Sequence, residues 1–218
     1  MHIPYKKQIF PIHIFQTHIK ENELLKDELF SKIQEICKDK DIPIPAGWQT
    51  SKLITTFDND DINNALFNSN SLINKVYPHY LNKFFDKPVD YTLTDIWFNY
   101  YDDGEYQEKH SHIAPFTYRP SITHFSVIHY LKFDSEVHQP TVFVDPLEML
   151  RLSSLEMESN YYNHLYYPRV KEGSLLMFPS YMEHMVKKSE PTPNNPRITI
   201  AMNIRVNQYG EEDKSNGN

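Results

Sequence analysis

Among eleven histidines, His110 and His112 in EKHSHI have a spacing that implies a shared outlook. Residues two apart in a strand point to the same face, so two imidazoles could meet one ion. An isolated pair of this kind reads equally well as a polar strand edge with two solvated rings. Downstream, His184 stands in GSLLMFPSYMEHMV: a turn glycine, a buried strand, a Pro-Ser turn, then a histidine among apolar residues. Thirteen residues later Arg197 opens RITIAMNIRV. Because Ile198, Thr199 and Ile200 alternate after it, the guanidinium and the Thr199 hydroxyl share a face and could grip a carboxylate by charge-assisted bonds. Such a face would take a small dicarboxylate. The bland alternative for Arg197 is a surface salt bridge.

The other histidines have plainer readings. His124 and His129 in SITHFSVIHYL are an odd number of residues apart, so at most one faces a common site, and a hydrogen-bonded core or surface role is expected. His138 and His164 read as loop residues. Trp97, Phe98, Tyr161, Tyr162, Tyr166 and Tyr167 read as packing, although the tyrosine-rich stretch before Pro168 is where substrate contacts would be sought. Cys37, the single cysteine, reads as a small apolar helix residue; alone it excludes an internal disulfide and a thiolate-rich zinc site.

Positioning such a site falls to elements that the patterning outlines. Leu25, Leu29, Ile33 and Ile36 recur at helical spacing, predicting a helix from Asn22 to about Lys38. A second helical run is expected from Asp61 to Phe85, through Leu66, Ile73, Val76, Tyr80 and Phe84. The preceding QIFPIHIFQTHI alternates as a strand does. After Lys87 the segments TLTDIWFNYY, ITHFSVIHYLKF, PTVFVDP, SLLMFPS and RITIAMNIRV are short, β-branched and aromatic, and separated by turn chemistry. The expected architecture is mostly β: a jelly roll, or double-stranded β-helix, buttressed by N-terminal α-helices. One domain is expected over residues 1–208, with a helical part at 1–87, a β-helix core at 88–208 and a disordered tail at 209–218. Leu147 to Tyr167 lacks periodicity and reads as a lid or binding loop facing substrate.

The 218 residues carry a net charge of -7 with both signs mixed along the chain, which offers no basic stripe for nucleic acid. The N-terminus lacks a charged region followed by an apolar one, and no stretch is apolar for long enough to span a bilayer. The expectation is a soluble, cytoplasmic protein with no membrane contact. A homodimer is compatible with the chain, but no heptad or exposed apolar run argues for one.

Taken in order, IFPIHIF, GWQTS (Gly47 to Ser51), WFNYYDDGEYQEKHSH, HYLKF, TVFVDP, EGSLLMFPSYMEHMV and RITIAMN resemble the Fe(II)- and 2-oxoglutarate-dependent oxygenases over most of the chain, within the prolyl-hydroxylase-like superfamily. Each piece is weak, but their order and spacing together are specific. By that resemblance His110, six residues after Gly104, matches the first metal histidine and His184 the distal one. Arg197 and Thr199 match the pair that holds the far carboxylate of 2-oxoglutarate. Asn99 and Tyr101 look like cosubstrate-touching residues of relatives, and Tyr130 matches a cosubstrate-binding tyrosine of the prolyl-hydroxylase branch.

One departure stands out. The family pattern is H-x-D/E, and His112 occupies the carboxylate position. A two-histidine, one-carboxylate set offsets part of the ion's charge and leaves open positions; three neutral imidazoles leave the site more positive. Thiol dioxygenases use three histidines with Fe(II), and the resemblance implies a variant of the site with His112 as third ligand. Glu108 and Asp145 stay open as alternative third ligands. Asp145 could also fix an imidazole N–H from behind, or simply start the turn before Pro146.

The resemblance implies a dioxygenase that uses Fe(II), O2 and 2-oxoglutarate to hydroxylate a C–H bond of a peptide side chain or small metabolite. Two other classes fit the residues: a non-catalytic β-helix that binds a metal or a carboxylate, and a three-histidine dioxygenase independent of 2-oxoglutarate, in which Arg197 would bind the substrate's own carboxylate.

Overall fold

The computed structural model describes residues 12–38, 42–43, 45, 48, 51–113, 123–149 and 164–209. In chain order the elements are β1 (Phe15–His18), α1 (Asn22–Lys38), β2 (Ile54–Thr55), α2 (Asp60–Leu66), α3 (Ile73–Leu81), β3 (Val89–Tyr101), β4 (Gln107–His110), β5 (Phe125–Lys132), β6 (Thr141–Val144), β7 (Leu165–Tyr166), β8 (Ser174–Pro179), β9 (His184–Val186) and β10 (Arg197–Tyr209). They form two antiparallel sheets, a larger one in the order β1-β8-β5-β10-β3-β2 and a smaller one in the order β4-β9-β6-β7. This is the jelly roll that the sequence predicts.

In the larger sheet β5 and β8 are buried along nearly their whole length because both faces are covered. On one face Phe98, Tyr100, Val127, Leu131, Leu175, Met177, Ile198, Ile200 and Met202 join Leu25, Leu29 and Ile33 of α1 and Ile73, Val76, Tyr77 and Tyr80 of α3 in a single core. Leu25, Leu29 and Ile33, spaced by four along α1, are fully buried, worth about 2 kcal/mol each. The helices thus buttress the larger sheet from outside. On the opposite face Ile128, Tyr130, Leu176 and Phe178 pack with Phe143 of the smaller sheet and with Phe133 and Met182.

The expected single helical run from Asp61 to Phe85 is broken in two. Asn59 caps α2 by accepting from Ile62 N at 3.2 Å, with Asp60 and Asp61 in its first turn. The following Asn-Ser-Asn-Ser segment stops it: Asn68 Oδ1 accepts from Asn70 N at 3.0 Å, and Asn74 Nδ2 donates to Asn68 O at 2.7 Å. These short polar side chains offer the backbone a local alternative to the helix. After α3 the chain continues as a 3-10 turn, Asn82–Phe84. Of the N-terminal strand, β1 covers only Phe15–His18, and the segment before Ile12 lies outside the described residues.

Two glycines set the turns that deliver the site. Gly104, at φ +68°, turns β3 into β4; its neighbour Glu105 is buried and accepts from the amides of Asp102 and Asp103 at 2.7 and 2.6 Å. Gly173, at φ +82°, precedes β8, and a Cβ there would lie 2.6 Å from the His18 ring. Of the expected lid from Leu147 to Tyr167, residues 150–163 lie outside the described residues; Leu165 and Tyr166 form β7, paired with β6. The strand β10 reaches Tyr209, and the tail beyond it lies outside the described residues. No helix among the described residues is long and apolar enough to cross a membrane.

Candidate active site

Strand register builds the site in rows across β3, β10 and β5. Asp95, Asn203 and Ser126 stand opposite one another in one row. Trp97, Ala201 and Ile128 form the next, and Asn99, Thr199 and Tyr130 the one after, followed by Tyr101 opposite Arg197. The period of two therefore presents a polar row at each end of the face, separated by an apolar row whose centre is the small Ala201.

The smaller sheet adds the histidines. His110 and His184 are partners across β4 and β9, and their ring centroids lie 4.3 Å apart. The strand ends at His110, so His112 reaches the same place by a bend rather than by strand alternation. Its amide donates to Ser180 O at 2.9 Å, and its ring lies 5.4 Å from His110 and 5.0 Å from His184. One nitrogen from each of the three rings falls within 4.8 Å of the others, a spread that small side-chain rotations close around one ion at metal–nitrogen distances of about 2.1 Å. Neither Glu108 nor Asp145 belongs to this cluster. The Glu108 carbonyl accepts from His110, and Asp145 Oδ1 accepts from Leu147 N at 2.9 Å at its turn.

The tautomers follow from the partners. His110 Nδ1 lies 2.8 Å from Glu108 O and His184 Nδ1 3.0 Å from Met182 O. A carbonyl only accepts, so both rings carry their proton on Nδ1 and leave Nε2 with its lone pair. His112 Nδ1 lies 2.7 Å from Asn203 Oδ1. The Asn203 amide is oriented because its Nδ2 donates to Asp95 Oδ2 at 3.0 Å, so His112 too exposes Nε2. Burial holds all three histidines below their ordinary pKa: His110 downward, His112 to about 4, and His184, 3% exposed, well below its ordinary value. Mutual repulsion adds to the shift at His112 and His184, while Asn203 and Asp95 oppose it at His112. Neutral imidazoles with free lone pairs are what a divalent cation requires.

At the other polar end Arg197 is 3% exposed and has no carboxylate partner among the described residues. Its Nε donates to Gln139 O at 3.0 Å and its Nη2 to Thr141 Oγ1 at 3.3 Å, while Nη1 is buried with no partner among the described residues. The guanidinium lies over the Tyr101 ring at 4.6 Å and the Tyr130 ring at 5.4 Å. A buried, unpaired guanidinium nitrogen is costly, and the group that best satisfies it is an anion such as a carboxylate. The bland alternative, a surface salt bridge, does not describe this buried side chain. Thr199 is buried beside it, and Tyr130 OH accepts from Thr141 N at 3.1 Å. Asn99 Oδ1 is occupied by the Thr55 hydroxyl at 2.7 Å.

Several residues around the site were not singled out by sequence reading. The Trp48 ring lies 6.1 Å from that of His110, and Ser51 Oγ accepts from Glu108 N at 2.9 Å, so these two residues flank β4. Trp97, read as packing, stands 5.6 Å from His112, and its indole N–H is buried without a partner among the described residues. Asp95, Ser126 and Asn203 lie at even spacing from Asn99, Tyr130 and Thr199, so the same alternation that aligned Arg197 with Thr199 could have found them.

The family model described as "Putative 2OG-Fe(II) oxygenase" matches residues 95–203, half of the 218-residue chain. The chain belongs to this oxygenase family. Membership assigns it Fe(II) and 2-oxoglutarate as cofactor and cosubstrate. No curated protein sequence matches the chain. Three crystal structures similar to it share the fold at low identity. A Pseudomonas putida prolyl-4-hydroxylase is 11% identical, with a TM-score of 0.52 over 89% of this chain and 92% of its own. A viral collagen prolyl hydroxylase from Paramecium bursaria Chlorella virus-1 is 13% identical, with a TM-score of 0.52 over 94% and 99%. HygX from Streptomyces hygroscopicus, with nickel and 2-oxoglutarate bound, is 13% identical, with a TM-score of 0.51 over 88% and 82%.

Proposed function

We propose that this oxygenase is a 2-oxoglutarate-dependent dioxygenase that hydroxylates a C–H bond, with His110, His112 and His184 as the three ligands of Fe(II). Arg197, assisted by Thr199, anchors the far carboxylate of 2-oxoglutarate. Arg197 carries the reading: a cation sealed among Tyr101, Tyr130 and Thr141 with one donor left over is built for an anion delivered on that face. Fe(II) with O2 and 2-oxoglutarate supplies oxidative decarboxylation of the cosubstrate coupled to hydroxylation. The protein's share is placement. The three Nδ1 partners aim three lone pairs, the aromatic rings fix the guanidinium, and the apolar row between the polar ones keeps the centre dry.

A cavity of about 420 Å3 lined by Phe57, Asp58, Asp60, Asn63 and Leu93–Trp97 is the candidate approach for substrate, since its lining residue Trp97 lies 5.6 Å from the His112 ring. Its acidic lining suits a neutral or cationic group. A peptide side chain is the first substrate class, because fold relatives include prolyl hydroxylases and one, from Trichoplax adhaerens, is in complex with a hypoxia-inducible-factor peptide (TM-score 0.52). The three-histidine set also supports a second reading, a dioxygenase that needs no 2-oxoglutarate and uses Arg197 for the substrate's own carboxylate.

Anaerobic titration of the Fe(II)-loaded protein with 2-oxoglutarate separates the two. A visible charge-transfer band is expected for wild type, weakened in Arg197→Ala and lost with the metal in His112→Ala. No band from wild type with iron bound would sink the 2-oxoglutarate reading and promote the second.

A further inference from the structure

His112 leaves the candidate metal centre without the carboxylate that its family's pattern supplies, yet a carboxylate stands directly behind it. Asp95, Asn203 and Ser126 occupy one row of the larger sheet, and the first two form a chain to the third histidine. Asp95 Oδ2 accepts from Asn203 Nδ2 at 3.0 Å, and Asn203 Oδ1 accepts from His112 Nδ1 at 2.7 Å. The Ser126 hydroxyl, 2.7 Å from the same nitrogen, is 3.3 Å from Ser180 Oγ and can donate there while also accepting from His112. Asn203 is 4% exposed and Ser126 fully buried, so the link to His112 lies inside the protein, while Asp95 at its outer end is half-buried at the edge of a cavity.

We propose that Asp95 is the displaced carboxylate of this metal centre: through Asn203 it fixes the His112 tautomer and supplies, one residue removed, the negative charge that a metal-bound carboxylate would have supplied directly. The inference rests on His112 being a ligand. Carboxylates behind metal histidines raise ligand basicity and hold the ring in place; here an amide is inserted between the two. Asp95 is a positioning residue, since it acts on the ion only through Asn203 and His112. The arrangement explains how a three-imidazole set tolerates a doubly charged ion in a buried site.

Co(II) titration of the metal-free protein, followed by its d–d absorption, tests this without turnover. Asp95→Asn keeps the acceptor for Asn203 and removes the charge; it should weaken Co(II) binding about tenfold in the wild-type background. In His112→Asp the ligand carries its own charge, and the same Asp95→Asn change should cost less than about twofold. Asn203→Asp, which puts a carboxylate directly on His112 Nδ1, should restore binding to the Asp95→Asn protein. An unchanged affinity in Asp95→Asn, or an equal loss in both backgrounds, would overturn the proposal and leave Asp95 as strand support. If His112→Ala binds Co(II) as tightly as wild type, the ligand reading itself falls, an outcome distinct from a relay that fails while His112→Ala loses the metal.

Discussion

Two groups of histidines are wired differently: the buried His129 and His138, and the cluster of His110, His112 and His184. His129, on the helix-facing side of the larger sheet, is fully buried between Tyr77 and Asn22. Its Nε2 lies 2.8 Å from Asn22 Oδ1 and its Nδ1 2.8 Å from the Tyr77 hydroxyl. The Asn22 amide is oriented by its bond to Leu131 O at 3.3 Å, so Nε2 donates and Nδ1 accepts. Both nitrogens are used within the protein. His138 is similar, with Nδ1 accepting from Asp134 N at 2.9 Å and Nε2 donating to Asn195 O at 2.7 Å. His110, His112 and His184 each commit only Nδ1 and turn the remaining nitrogen toward one point. Burial depresses the pKa in both groups, so it does not tell ligand from structural histidine. The count of nitrogens left over does.

The largest effect that can break this contrast is on metal affinity. His184→Ala removes one of the three converging lone pairs and should weaken Co(II) or Fe(II) binding on the order of a hundredfold or more, while thermal stability of the metal-free protein changes little in comparison. Calorimetric titration of the metal-free protein checks it; an affinity near wild type would remove His184 from the ligand set. His129→Leu should do the reverse. It strands the Tyr77 hydroxyl and Asn22 Oδ1 in the core and should cost about 3 kcal/mol in urea unfolding, with metal affinity within about twofold of wild type.

How much of this was legible in the sequence follows from what each signal depends on. Helix α1 was readable to its ends because Leu25, Leu29 and Ile33 repeat at a period that local geometry alone sets. The run after it was misjoined because apolar spacing carried across Asn68–Ser71, where side chains bonding to the backbone stop the helix. Arg197 with Thr199 could be aligned by alternation, and the odd spacing of His124 and His129 left at most one of them to face a common site, without telling which of the two is buried. The bend that brings His112 round depends on Ser180, far away in the chain, and no local pattern encodes it. The Asp95–Asn203–His112 chain was hidden for a similar reason. Its members are separated by long stretches of sequence and meet only through the register of β3 against β10. The unpaired Nη1 of Arg197 is likewise a property of packing, invisible until its neighbours are placed.

The smallest effect sharpens the contrast through pH. Burial, with a lesser contribution from His18, holds His129 down at about 3, against an ordinary value of 6.5. Between those values the unfolded chain binds a proton at this position and the folded chain does not, so stability rises with pH across that window and is lost as pH falls below about 6.5. One such group contributes a slope of up to about 1.4 kcal/mol per pH unit. Urea titrations of the metal-free protein at several pH values between about 6.5 and 4 should therefore give a shallower dependence for His129→Leu than for wild type, although the variant is the less stable of the two at neutral pH. The two stability curves should converge as the pH falls, because the variant has no proton to take up at that position. Parallel curves would mean that His129 accepts its proton in the folded state within this range, and that burial does not hold it neutral.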